Sequence, residues 1–154
     1  MKTAKHFIDF ENSIGPWLGK TVKIIDFFAQ EAFNDAGLDL TKEQMIVLKK
    51  LSSKDGLNQN ELAFLTLRNK SSLTRLLTKM EIKEYITRKQ DTSDKRIKRV
   101  FITKKGKDIF LKTRPVIGQF IKRIEQNISA KEKQEMIKTL KKIQSNFGSE
   151  VEHI

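Results

Sequence analysis

The side chains best suited to binding another molecule are concentrated between Leu57 and Thr103. Over residues 71–80, Leu73, Leu76, Leu77 and Met80 recur at i, i+3, i+4 and i+7, one apolar stripe of a helix. The opposite face carries Ser71, Ser72, Thr74, Arg75, Thr78 and Lys79. Hydroxyls and cations in this arrangement suit base edges and phosphates better than an acidic ligand. Just downstream, Arg88, Lys89, Lys95, Arg96, Lys98 and Arg99 place six cations in twelve residues around the polar turn QDTSDK. The flanking segments, Tyr85–Lys89 and Ile97–Thr103, are rich in β-branched and aromatic residues and are expected to be the strands of a hairpin. A basic hairpin after such a helix can straddle phosphates and push an arginine into a narrow minor groove. An isolated basic hairpin could equally be a solvated surface feature whose charges keep a sheet edge from aggregating.

The element before the amphipathic helix decides between these readings. Gln59 to Thr66 is expected to be a short helix burying Leu62 and Leu65, with Ala63 where two crossed helices approach closely. Asn69 closes the turn, as a residue that tolerates a left-handed backbone or caps the next helix. Two short helices, a tight turn and a polar outer face make a helix-turn-helix, and the basic hairpin its wing. The expected contact residues are Asn58 and Gln59 at the start of the first helix, and Lys70, Ser71, Ser72, Thr74, Arg75 and Lys79 on the second. Arg88, Asp94, Lys95, Arg96 and Lys98 complete the set on the hairpin.

Catalysis finds no comparable support. The two histidines, His6 and His153, stand at opposite ends of the chain, and there is no cysteine. That removes disulfides, thiolate zinc sites and a cysteine redox switch together. No glycine-rich phosphate loop, H-E-x-x-H or nucleophile elbow is present. Asp91 and Asp94 lie three apart in a turn, where Asp94 is better placed to orient Arg96 than to hold a cation. No catalytic residue, metal or cofactor is expected.

The charge distribution agrees. Residues 1–40 hold 4 cations and 6 anions, residues 41–104 hold 16 and 7, and residues 105–154 hold 11 and 6. The excess within the net +12 therefore falls on the helix-turn-helix and hairpin. No apolar run of about 18 residues exists and no signal-peptide core precedes the first helix, so a cytoplasmic, non-membrane protein is expected. At 154 residues the chain fits one compact subunit.

In the flanks, Phe7, Phe10 and Ile14 form a short amphipathic lead-in, and a helix is expected from Pro16 to about Ala36 with Gly37 as its stop. Leu18, Val22, Ile25, Phe28, Ala32 and Phe33 form its main stripe, but Trp17, Ile24 and Phe27 lie off it, so this helix is expected to meet two neighbours. Thr41–Gln44 is a capping box opening a helix buried through Met45, Leu48 and Leu51, and Asp55-Gly56 turns the chain. Thr103 caps a long helix expected to reach about Asn127 and to bend at Pro115. Ser129–Glu132 is a further capping box before a last helix striped by Met136, Ile137, Leu140, Ile143 and Phe147, with Gly148 as its stop.

Four segments together resemble the MarR family of winged-helix transcriptional regulators: LTKEQMIVLKKL (Leu40–Leu51), DGLNQNELA (Asp55–Ala63), NKSSLTRLLTKME (Asn69–Glu81) and DTSDKRIKRVFITKKG (Asp91–Gly106). One position departs from the pattern: Glu84 stands where the family usually has glycine after the recognition helix. The expected fold is mainly α with a small β-hairpin (α+β). A winged helix-turn-helix core, residues 41–104, is flanked by N-terminal (1–40) and C-terminal (105–154) dimerisation helices. The resemblance implies a homodimer on a pseudo-palindromic double-stranded DNA operator, with Arg96 of the D-x-R pattern entering the minor groove. It also implies a repressor relieved by a small aromatic ligand, for which Trp17, Phe27, Phe28 and Met45 are the candidate lining. The alternatives are a winged-helix module binding an acidic protein and, for the flanking helices, a monomeric bundle.

Overall fold

Side-chain caps set most of the helix starts. Thr41 Oγ1 accepts from Gln44 N at 3.2 Å while Thr41 N donates to Gln44 Oε1 at 3.1 Å, opening α2 (Lys42–Ser53). Asn58 and Glu61 repeat this box at α3 (Gln59–Leu65), and Ser129 and Glu132 at α6 (Ala130–Ser145). Asn69 caps α4 (Lys70–Ile82) through Ser72 N at 2.8 Å, and Thr103 caps α5 (Lys104–Ile124) through Gly106 N at 3.0 Å. The first helix, α1, spans Ile14–Asp35, with Pro16 in its first turn. These elements come from a computed structural model that describes residues 7–154, so His6 lies outside the described residues.

Four expectations are corrected here. The lead-in is not helical over residues 7–13: Asp9 instead closes a turn through Asn12 N and Ser13 Oγ. Helix α5 stops at Ile124 and Asn127 adopts a left-handed φ of 61°, while α6 stops at Ser145 with Asn146 as its cap, ahead of Gly148. The strands are β2 (Ile86–Gln90) and β3 (Lys98–Ile102), and they belong to more than a hairpin. Leu57–Asn58 forms a third strand, β1, paired antiparallel with β3, giving the order β1-β3-β2. Two residues are too short for a period to show in sequence, so only the pairing partner reveals the strand.

The core is shared by the winged elements. Val47, Leu48 and Leu51 of α2, Leu62 of α3, Leu73, Leu77 and Met80 of α4, and Ile86 and Val100 of the sheet are all buried. The stripe predicted for α4 is therefore its buried face, and the hydroxyl-bearing face is left to solvent. The wing is seated by backbone detail. Glu84 takes a left-handed φ of 62°, the geometry a glycine would relax, and Tyr85 N then donates to Met80 O at 2.9 Å. At Gly106 a Cβ would stand 2.2 Å from Tyr85 O, so α5 starts flush against the wing base only because that side chain is absent.

The flanking helices are different. No residue of α6 is buried, and in α1 only Phe33 is. Phe27, Ile24, Trp17, Met136 and Phe147 are 61, 49, 56, 62 and 75 % exposed. Single exposed apolar residues are ordinary, but this set is spread over α1, α6 and the turn that follows α6, and large exposed apolar areas are where proteins commonly make contacts.

Candidate nucleic-acid interface

Helix α4 presents Lys70, Ser71, Thr74, Arg75 and Lys79 to solvent on one face. The Thr74 and Thr78 hydroxyls donate back to Lys70 O and Thr74 O at 2.8 and 2.9 Å, so toward a ligand Thr74 remains an acceptor, while Thr78 Oγ1 already accepts from Arg88. Ser72 is partly buried, and its Oγ accepts from Arg68 Nη1 at 2.6 Å. Arg68 was not among the expected residues; it fixes the serine from inside the turn. A polar groove of about 280 Å³ gathers Asn58 of β1, Gln59 of α3, Thr74 of α4, and Arg88, Arg96 and Lys98 of the sheet and wing. A second, of about 260 Å³, joins Ser72, Arg75 and Lys79 to Thr41 and Glu43 at the start of α2. Lys70, Ser71, Asp94 and Lys95 line neither groove, though Lys70, Ser71 and Lys95 are exposed.

The wing cations divide into free and engaged. Arg88 is engaged: its Nε donates to Glu81 Oε1 at 2.8 Å, its Nη2 also reaches that oxygen, and Nη2 meets Thr78 Oγ1 at 3.2 Å. With a side chain only 16 % exposed, Arg88 ties β2 to α4 and spends its charge on a carboxylate. Arg96 is 91 % exposed, yet aimed: Asp94 Oδ1 accepts from Arg96 N at 3.0 Å and from its Nε at 3.2 Å. Lys95 and Lys98 stand exposed beside it. The result is a cationic ridge and a hydroxyl-bearing helix on a rigid base, able to neutralise phosphates and present donors to base edges.

The expected ligand-lining set is largely corrected. An apolar cavity of about 310 Å³ lies between α1, α2 and α5, and of the four candidates it is lined by Met45 alone. Its α1 wall is Val22, Ile25, Ala29, Ala32 and Phe33, which recur at helical spacing. Phe27 projects from the far side of that helix and rests edge-on against Phe28 at 5.2 Å. Trp17 lies outside the cavity, its Nε1 donating to Glu11 O at 2.6 Å. Aromatic type alone drew attention to them; the helical angle decides which residues face the cavity.

Comparison with known proteins matches this geometry. A family model described as "MarR family" covers residues 40–98, from the end of the α1–α2 connection into the wing. The HTH-type transcriptional regulator SarZ of Staphylococcus epidermidis is 30 % identical over 116 residues, covering 73 % of this chain and 76 % of that protein. The chain belongs to the MarR family. An uncharacterized HTH-type transcriptional regulator, YybA of Bacillus subtilis, is 29 % identical over 99 residues, and the match spans 64 % of this chain and 65 % of YybA. A solved structure of the transcriptional repressor CouR bound to a 23-mer DNA duplex superposes with a TM-score of 0.79 at 19 % identity, covering 86 % of this chain and 93 % of that one. It shares the fold. The MarR-family assignment makes this chain a DNA-binding transcriptional regulator and not an enzyme. Among the described residues no helix is long and apolar enough to cross a membrane.

Proposed function

We propose that this MarR-family chain acts in the cytoplasm as a homodimer that reads a pseudo-palindromic operator. Residues 41–104 supply the reading unit, and residues 1–40 and 105–154 the dimerisation helices. The observation that carries the DNA reading is the sorting of charge around α4 and the wing. Glu81, Asp91 and Asp94 each face an arginine, which leaves Lys70, Arg75, Lys79, Lys95 and Lys98 without an ion pair among the described residues, beside an aimed Arg96. A surface prepared for an acidic protein would carry apolar anchors among its charges, whereas the exposed face of α4 is hydroxyl and cationic from Lys70 to Lys79, with Ile82 the exposed apolar side chain at the helix end. The exposed apolar residues of α1 and α6 support the dimer, because a symmetric copy covers them with the same residue types.

The regulator is a repressor whose ligand enters the cavity between α1, α2 and α5. That cavity is almost wholly apolar, with the Lys42–Asp26 ion pair at its edge joining α2 to α1. A small apolar molecule bearing one anionic group fits, its head competing with Asp26 for Lys42. Such a ligand lowers DNA affinity only if it binds the two helix arrangements unequally.

Sedimentation and selection of bound sequences from a random duplex pool test the proposal. The expected results are a particle of twice the 17.9 kDa chain mass and selected half-sites about one helical turn apart with a dyad. A clean monomer, or selected sites without a dyad, would refute the symmetric reading.

A further inference from the structure

Six basic residues of the wing region look equivalent in sequence, yet Arg99 is held differently from the rest. It lies in β3, the central strand, opposite Asn58 of β1 and Lys89 of β2. Its Nε donates to Asp91 Oδ1 at 2.6 Å and its Nη1 to Gly56 O at 3.0 Å. The hydrogen bond from Arg99 holds the Asp91 carboxyl below its usual range, and the same contact holds the guanidinium above its own, with Glu61 adding a second negative charge nearby. Arg99 thus stays charged, with Nε and Nη1 committed to contacts inside the fold while 39 % of its side chain remains exposed.

The other oxygen of Asp91 does separate work. Oδ2 accepts from Ser93 N and from Asp94 N, both at 3.1 Å, which folds the wing tip into a fixed turn. Asp94 in turn accepts from Arg96 N and Nε. A continuous chain of charge-assisted contacts thus runs from the α2–β1 turn at Gly56, through Arg99, Asp91 and Asp94, to the exposed guanidinium of Arg96. Its inner end is tightly held, since the Asp91 side chain is 14 % exposed, and its outer end is open to solvent.

Building on the DNA reading above, we propose that Arg99 is a positioning residue, which with Asp91 braces the wing tip so that Arg96 is pre-aimed at the DNA. It makes no DNA contact of its own. Holding the guanidinium in place before binding removes ordering that the complex would otherwise have to impose. Arg99 and Arg96 consequently act as one unit, and their effects on affinity overlap.

The test measures duplex affinity between 50 and 200 mM salt for the full-length protein and for Arg99→Gln, Asp91→Asn, Arg96→Ala and Arg96→Ala/Arg99→Gln. Arg96→Ala should weaken binding and flatten the salt slope by about 0.9 for each lost contact. Arg99→Gln and Asp91→Asn should each weaken binding about threefold or more while leaving the slope unchanged. The double variant should bind as Arg96→Ala does. General damage to the fold would lower the single and double variants alike, so overlap of the two effects separates bracing from unfolding. Additive losses, a flattened slope in Arg99→Gln, or no loss in either bracing variant would overturn the inference and leave the DNA reading standing. Absence of duplex binding by the unaltered protein would overturn both.

Discussion

Arg75→Ala isolates the part of the interface that reads bases. Arg75 is exposed on α4 with Ser71 and Ser72 one turn before it and Lys79 one turn after. Among the described residues no ion pair engages it, unlike Arg88 and Arg99. Truncation therefore orphans no buried carboxylate, and alanine is the better helix former, so folding stability should change by no more than about 0.5 kcal/mol. Affinity is another matter. A guanidinium bidentate to a guanine edge is worth about 1 to 3 kcal/mol in discrimination, and a two-fold symmetric complex loses it twice, about 30-fold to 10⁴-fold in the dissociation constant. The assay is fluorescence anisotropy at fixed salt, on a panel of duplexes altered one base pair at a time, with a thermal melt of each protein. The expected result is a flattened preference at one position per half-site, with other positions still discriminated. Equal weakening on every duplex would make Arg75 a phosphate contact, and unchanged affinity would remove it from the interface; either result refutes the assignment.

The wing base yields two backbone predictions of opposite sign. Glu84→Gly should stabilise the fold by about 0.5 kcal/mol, because relief of the left-handed φ slightly exceeds the entropy that glycine adds to the unfolded chain. The Lys105 contact it loses, at 3.5 Å with both side chains largely exposed, contributes little, so a loss of stability in chemical denaturation would contradict this reading. Gly106→Ala should destabilise by about 1 to 3 kcal/mol, as its Cβ would press on Tyr85 O, and an unchanged denaturation midpoint would show that the contact relaxes freely. Tyr85 is the one tyrosine, so alkaline absorbance titration reports it alone. Burial, and then the nearby Asp39 charge, raise its pKa above 10.0, so the titration midpoint of the folded protein should exceed that value. Because the folded pKa is the higher one, the associated stability is fully present below about 10 and is lost as pH rises through the folded value. A midpoint at or below 10 would mean that the ring is not buried against the α1–α2 connection.

The sequence by itself determined the elements whose signals are local. A leucine stripe at helical spacing specifies a helix and its buried face together, which is why Leu73, Leu76, Leu77 and Met80 predicted which side of α4 would remain exposed. N-caps are equally local: Thr41, Asn69, Thr103 and Ser129 each satisfy the amide three residues on, so the starts of α2, α4, α5 and α6 were legible without any partner. What the sequence left open depended on residues far apart in the chain. The strand Leu57–Asn58 exists because Val100 and Arg99 lie beside it, more than forty positions later. Composition counted Arg88, Arg96 and Arg99 as three like charges, and only tertiary structure separated them, by bringing Glu81 to the first and Asp91 to the third while leaving the second in solvent. The cavity followed the same rule: the angle of α1 against α2 and α5 placed Ala29 and Ile25 on its wall and turned Phe27 away. A side chain's type fixes what chemistry it can perform; its neighbours in space fix how much of that capacity is already spent within the fold and how much is left to face DNA.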